Sequence, residues 1–189
     1  MIDKIGLSLL TMFGIGRIKY APGTVASIVT CLIYYLLFSL GVNFNYFFFF
    51  IFIILLIYSI ILIDKLSHHF KEKDPKEIVI DEFFGQLIPL SVIYYYFTIY
   101  LKLYAKMKVA HNVSIKREVF SFIGDDISYT YAFYIIIAFM LFRAFDILKP
   151  FPTNYIDNKI KNNFGIMSDD LLAGIFTAII IAIPMIILS

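Results

Sequence analysis

Three groups of charged side chains lie inside or against long apolar runs: Asp81 and Glu82, then Arg143, Asp146 and Lys149, then Asp169 and Asp170. A charge at the centre of a bilayer costs roughly 2.5–3.5 kcal/mol on insertion scales, so residues of this kind are either paired or put to chemical use. Adjacent carboxylates on a helix point about 100° apart, so Asp81 and Glu82 suit two metal positions, or one metal and one supporting base. Arg143, Asp146 and Lys149 recur every third residue and form one stripe along a helix end, which Pro150 and Pro152 terminate. Such a stripe suits a phosphate group; the plainer reading is that Arg143 and Asp146 neutralise each other. Ser168 is a good N-cap, and the helix dipole accounts for one of the two carboxylates that follow it. The second, beside Leu171 and Leu172, points to a metal role. Five carboxylates without a nearby His or Cys make a hard oxygen set that fits Mg2+ or Mn2+ and disfavours zinc. His68, His69 and His111 fall in polar stretches and read as solvated. Ala21-Pro22-Gly23-Thr24 precedes an apolar run from Val25, and a helix start there offers backbone donors and a dipole to an anion, or is simply a turn.

The elements that must position these groups are membrane helices. Of 189 residues, 61% are hydrophobic and only 16% charged, too apolar for an ordinary soluble domain. Phe44 to Ile63 is uncharged and, as a helix rising ~1.5 Å per residue, spans a hydrocarbon core of about 30 Å. An open strand there would leave backbone groups unpaired in lipid, and a barrel would alternate. Leu171 to Leu188, Val25 to Leu40, Tyr129 to Leu148 and Phe83 to Leu101 read as further spans, and Met1 to Met12 as a short amphipathic helix ahead of them. The fold class is therefore all-α: a polytopic helical membrane protein with four to five transmembrane or re-entrant helices, in one domain covering 1–189. Five spans beginning inside put 1–24, 64–80 and 149–170 on one face, and with them all three charged groups. The basic residues of those stretches make that face cytoplasmic by the positive-inside rule. Lys102, Lys106, Lys108, Lys116 and Arg117 oppose it. Either 102–128 is a polar insertion translocated despite its charge, or the preceding segment is re-entrant. With no Trp, the interfacial belt falls to tyrosines at span ends: Tyr34, Tyr35, Tyr94 to Tyr96, Tyr100, Tyr104 and Tyr129. A net charge of +2 gives no footprint for nucleic acid, and the single Cys31, in an apolar run, excludes a disulfide framework.

Three stretches together carry a family resemblance: Tyr20-Ala-Pro-Gly-Thr-Val-Ala-Ser27; Asp74-Pro-Lys-Glu-Ile-Val-Ile-Asp-Glu-Phe-Phe-Gly85; and Phe142-Arg-Ala-Phe-Asp-Ile-Leu-Lys-Pro-Phe-Pro152 followed by Gly165-Ile-Met-Ser-Asp-Asp-Leu-Leu-Ala-Gly174. In that order and over nearly the whole chain, they resemble phosphatidylglycerophosphatase A. The resemblance implies a Mg2+-dependent phosphatase of the bacterial inner membrane that converts phosphatidylglycerophosphate to phosphatidylglycerol, with its active site at the cytoplasmic face. It puts the family's acidic motif on Asp81 and Glu82, its arginine-aspartate-lysine block on Arg143, Asp146 and Lys149, and its acidic pair on Asp169 and Asp170. Ala26 stands where the family usually has Gly, and Asn162-Asn163 where Gly-Gly is common.

On this reading Asp81, Glu82, Asp169 and Asp170 hold the metal, Arg143 and Lys149 the phosphate, and Asp146 orients Arg143 or joins the metal shell, with Gly23 and Thr24 as phosphate donors. Direct attack by water and an aspartyl-phosphate intermediate both stand open. The rival from another class is an ion or proton transporter using intramembrane carboxylates, which requires charges spread through the membrane depth rather than gathered at one edge.

Overall fold

The computed structural model describes residues 2–42, 46–66, 69, 75–110, 117–155 and 163–187. The first helix, α1 (Ile2–Leu10), is followed by a 3-10 turn over Ile15–Arg17 and then by α2 (Pro22–Ser39), α3 (Tyr46–Leu66), α4 (Ile80–Ala110), α5 (Arg117–Leu148) and α6 (Asn163–Ile187). No strand occurs among the described residues. Five stretches, Pro22–Ser39, Phe49–Leu66, Ile80–Lys102, Ser128–Leu148 and Met167–Ile187, are long and apolar enough to cross a membrane. The Phe83–Leu101 segment is part of one continuous helix. Of the histidines, His69 is exposed, while His68 and His111 lie outside the described residues, as does Asn162.

Two layers of packing hold the bundle. At the end where α2, α4 and α6 begin, Leu10, Leu62, Ile63, Leu66, Val79, Phe84 and Met167 form one apolar cluster. The Val79 N–H donates to the Leu10 carbonyl at 3.1 Å, fastening the end of α1 to the start of α4. Deeper in the bundle, Cys31, Leu90, Ile93, Phe97, Tyr131, Ile135, Ile181 and Met185 form a second cluster. Phe38 and Tyr131 stack there with ring centroids 3.7 Å apart.

Three expectations change. Within the polar 102–128 stretch, residues 102–110 and 117–128 are helical and extend α4 and α5, so they are not a loop; 111–116 between them lie outside the described residues. At 31 and 32 residues, the two helices run about 46–48 Å and outreach a hydrocarbon core of about 30 Å. Tyr34 and Tyr94 belong to the core, not to an interfacial belt, at 5% and 3% exposure. Their hydroxyls find partners inside: Tyr34 with the Ser91 hydroxyl at 3.2 Å, Tyr94 with the Val42 carbonyl at 3.0 Å. Finally, the last helix begins at Asn163, so Ser168 is not its cap. Asp169 and Asp170 sit in its second turn, where capping explains neither of them.

Candidate active site

A close crossing of α4 and α6 builds the site. A Cβ on Gly174 would overlap the carbonyl oxygen of Gly85, and one on Gly85 would lie 2.6 Å from the Asp170 carbonyl oxygen and 2.7 Å from Cε2 of Phe142. Only the absence of side chains lets the two backbones approach so nearly, as small residues do at membrane helix interfaces. Asp81 stands four residues before Gly85 and Asp170 four residues before Gly174, so each carboxylate lies one turn above the crossing on its own helix. Asp81, Glu82 and Asp170 each bring a carboxylate oxygen into one group in which all lie within 4.8 Å of one another. Asp81 and Asp170 are 7% and 4% exposed. The Glu82 Oε2 atom is buried without a hydrogen-bond partner.

The remaining charged residues surround this group. Arg143 Nη1 is 2.6 Å from Asp146 Oδ2, an ion pair one turn long on α5. Nε of Arg143 is buried without a hydrogen-bond partner, and Nη1 is buried with none beyond this ion pair. Arg143 and Asp146 are among the charges acting on Glu82, and Asp146 and Asp169 among those acting on Asp170. Lys149 follows the last residue of α5 with a left-handed φ of 42°, which ends the helix where glycine is the usual choice. Its Nζ donates to Asp169 Oδ2 at 2.8 Å, while Asp169 Oδ1 accepts the Asp170 N–H at 3.1 Å. Arg143 lies five residues before the end of α5 and Asp170 seven residues into α6, about 8–10 Å from those two helix ends, while Asp81 and Glu82 open α4.

A second helix start closes one side. Ala21, at φ 46°, turns the chain into α2 with Pro22 at its first position and no side-chain cap. Gly23 then packs so tightly that a Cβ would overlap the Glu82 carboxylate. Thr24 is half-buried in the same turn. The structure thus brings Asp81, Glu82, Arg143, Asp146, Lys149, Asp169, Asp170 and Gly23 to one end of the bundle. By formal charge five carboxylates stand against two cations there, an excess of three in a largely buried setting. Buried like charges are tolerated when a metal or substrate cation compensates them, and an unpartnered buried oxygen such as Glu82 Oε2 is a ready ligand. The donor set, carboxylate oxygens alone, fits Mg2+.

Two features went unread in the sequence. The Gly85–Gly174 crossing was signalled by a repeated Asp-x-x-x-Gly, at Asp81–Gly85 and Asp170–Gly174. Gln86, one turn below Glu82 on the same helix, is fully buried with both amide atoms unpartnered.

The phosphatidylglycerophosphatase A family model matches residues 8–185. The chain belongs to that family. It is 34% identical to the phosphatidylglycerophosphatase A of Haemophilus influenzae over 89% of this chain and 82% of the relative. It is 29% identical to a Bacteroides thetaiotaomicron protein provisionally named phosphatidylinositol-3-phosphatase, over 92% of this chain and 89% of the relative. A short stretch covering 21% of the chain and 23% of the relative is 40% identical to the phosphatidylglycerophosphatase A of Escherichia coli. No solved structure matches significantly. Family membership makes the chain an enzyme, a lipid phosphatase, and the transporter reading falls away.

Proposed function

We propose that this chain hydrolyses phosphatidylglycerophosphate to phosphatidylglycerol and inorganic phosphate, with Mg2+ at Asp81, Glu82 and Asp170, at the cytoplasmic face of a bacterial inner membrane. The observation that carries the reading is the buried three-carboxylate group at the end of a membrane bundle. The name of the Haemophilus relative supports the glycerophosphate head group; the Bacteroides relative's name shares the chemistry of a phosphomonoester on a lipid. Lys4, Arg17, Lys19, Lys65 and Lys76 at the site's end of the bundle support a cytoplasmic orientation.

When bound, Mg2+ would offset the excess carboxylate charge and polarise a phosphoryl oxygen as a Lewis acid. Arg143 is suited to the non-bridging phosphate oxygens, because its planar fork has donors to spare and Asp146 holds it from behind. Asp169 commits one oxygen to Lys149 and the other to the Asp170 N–H. We therefore assign Asp169 to holding Lys149 toward the phosphate, rather than to the metal. Gly23 permits the approach: a side chain there would fill the space against Glu82. The acyl chains stay in the bilayer while the head group reaches the recess, so hydrolysis breaks the terminal P–O bond without lifting the lipid out. Phosphate release from phosphatidylglycerophosphate by purified protein in detergent is expected with Mg2+ and absent with EDTA. Release unaffected by EDTA removes the metal. Faster release from a phosphatidylinositol phosphate than from phosphatidylglycerophosphate removes the proposed substrate.

A further inference from the structure

At the same end of the bundle, beside the carboxylates, Gly16, Arg17, Lys19, Pro22, Lys76 and Glu77 line a cleft of about 410 Å3. Three exposed cations face one exposed carboxylate there. Among the described residues, neither Arg17 nor Lys76 is in an ion pair, and the Lys19 ammonium lies 5.5 Å from the Tyr20 ring centroid. Backbone contact, not side-chain chance, fixes the cleft. Gly16 sits so close to the Glu77 carbonyl that a Cβ would overlap it, which locks the 3-10 turn against the segment leading into α4. Each wall also runs directly into the carboxylate site. Pro22 precedes Gly23, whose backbone abuts the Glu82 carboxylate, and Glu77 leads through Ile80 to Asp81.

A phosphomonoester lodged at the carboxylates therefore has the rest of its head group beside a cleft of net positive charge. In a lipid whose head group is a glycerol bearing a monoester at one end and a diester at the other, the second anion is one three-carbon bridge away. We propose that this cleft is a second anion subsite that takes the lipid's phosphodiester while the phosphomonoester occupies the carboxylate site. The inference rests on the substrate reading above and deepens it. Arg17 and Lys76 supply charge-assisted hydrogen bonds to the diester oxygens, and the cleft selects for a lipid with two phosphates over one with a single phosphate.

The test uses the full-length protein in neutral detergent micelles, comparing wild type with the Arg17→Gln, Lys76→Gln double variant. The expected result is a rise of about tenfold in KM for phosphatidylglycerophosphate, with kcat changed by less than about twofold, as for lost solvent-facing charge contacts in ground-state binding. The soluble two-phosphate head group, glycerophosphoglycerophosphate, is expected to inhibit wild type better than glycerol 3-phosphate does, and to lose that advantage in the variant. An Arg17→Lys, Lys76→Arg variant should keep most of it. An unchanged KM overturns the subsite. A KM defect seen only when anionic lipid is mixed into the micelles also overturns it, because the cleft would then gather bulk membrane lipid. If wild type releases no phosphate from phosphatidylglycerophosphate, the substrate reading fails first and takes the subsite with it.

Discussion

At the scale of single residues, the molecule keeps costly groups buried at one place. Asp170 is 4% exposed and shares its space with Asp81 and Glu82. Replacing Asp170 by Asn removes one like charge and one ligand together, and the two losses have opposite signs. The metal-free variant should melt at a higher temperature than metal-free wild type. Its turnover should fall on the order of a thousandfold, comparable to deleting a principal electrostatic group. Wild type should also gain stability on adding Mg2+, about 2.7 kcal/mol at a hundred times the dissociation constant, and the variant should not. Thermal melts with and without Mg2+ check both signs, and near-normal turnover would remove Asp170 from the site. Gln86 makes the same argument with a neutral group. A buried amide with no partner costs about 1–3 kcal/mol, so Gln86→Met should raise the melting temperature. If the amide serves the site one turn above, turnover should drop about tenfold in the same variant, as stability and activity trade against each other. Unaltered turnover would make Gln86 a bystander.

At the scale of elements, the crossing of α4 and α6 decides whether the carboxylates meet. Gly85→Ala places a methyl group 2.6 Å from a backbone oxygen of the other helix, which cannot swing aside as a side chain would. Overpacking of this kind costs about 1–3 kcal/mol, and here it also pushes Asp81 and Asp170 apart. The expected outcome is a lower melting temperature together with loss of the Mg2+-dependent stabilisation, read in the same melts; a variant that melts lower yet keeps its Mg2+ shift would mean that the crossing does not set the site. The spans that carry this crossing were legible in the sequence, because twenty apolar residues such as those of α3 admit no other structure in lipid. Their ends were not. Hydropathy reports where hydrocarbon stops, whereas helical hydrogen bonding continues into polar sequence, as it does through 102–110, 117–128 and 163–168. Tyr34 and Tyr94 misled for a related reason: tyrosine at a span end suits an interface equally with a core that offers a hydroxyl partner, and Ser91 and the Val42 carbonyl are partners that only the fold brings near. The charged groups could be assigned to one end by counting spans. Their meeting within 4.8 Å depends on two glycines whose repeated spacing after an aspartate was present in the sequence but carries no meaning until the helices are known to be neighbours running the same way.

At the scale of the whole molecule, the two ends of the bundle differ in build. One end is recessed and chemical, closed by α1, the 3-10 turn and the starts of α2, α4 and α6. The other is where α4 and α5 run on beyond the length a bilayer needs. Basic residues occur at both ends, with Lys102, Lys106, Lys108 and Arg117 at the extended one, and these offset part of the positive-inside argument for a cytoplasmic recess. The proposed chemistry gives the stronger argument, since a carboxylate site that takes Mg2+, as proposed above, is matched to a compartment rich in Mg2+. Cys31 is the only cysteine and is buried at 7% exposure, so it can be changed to Ala to leave a background for single reporters. Tyr20, 75% exposed at the recessed end, and Leu40, 77% exposed at the opposite end of α2, are eighteen helix residues apart and report opposite faces. In intact cells, a membrane-impermeant maleimide should label Leu40→Cys and spare Tyr20→Cys; in inverted vesicles the pattern should reverse. Labelling of Tyr20→Cys from outside intact cells would place the recess on the wrong face of the membrane for the proposed reaction, whatever its activity in detergent.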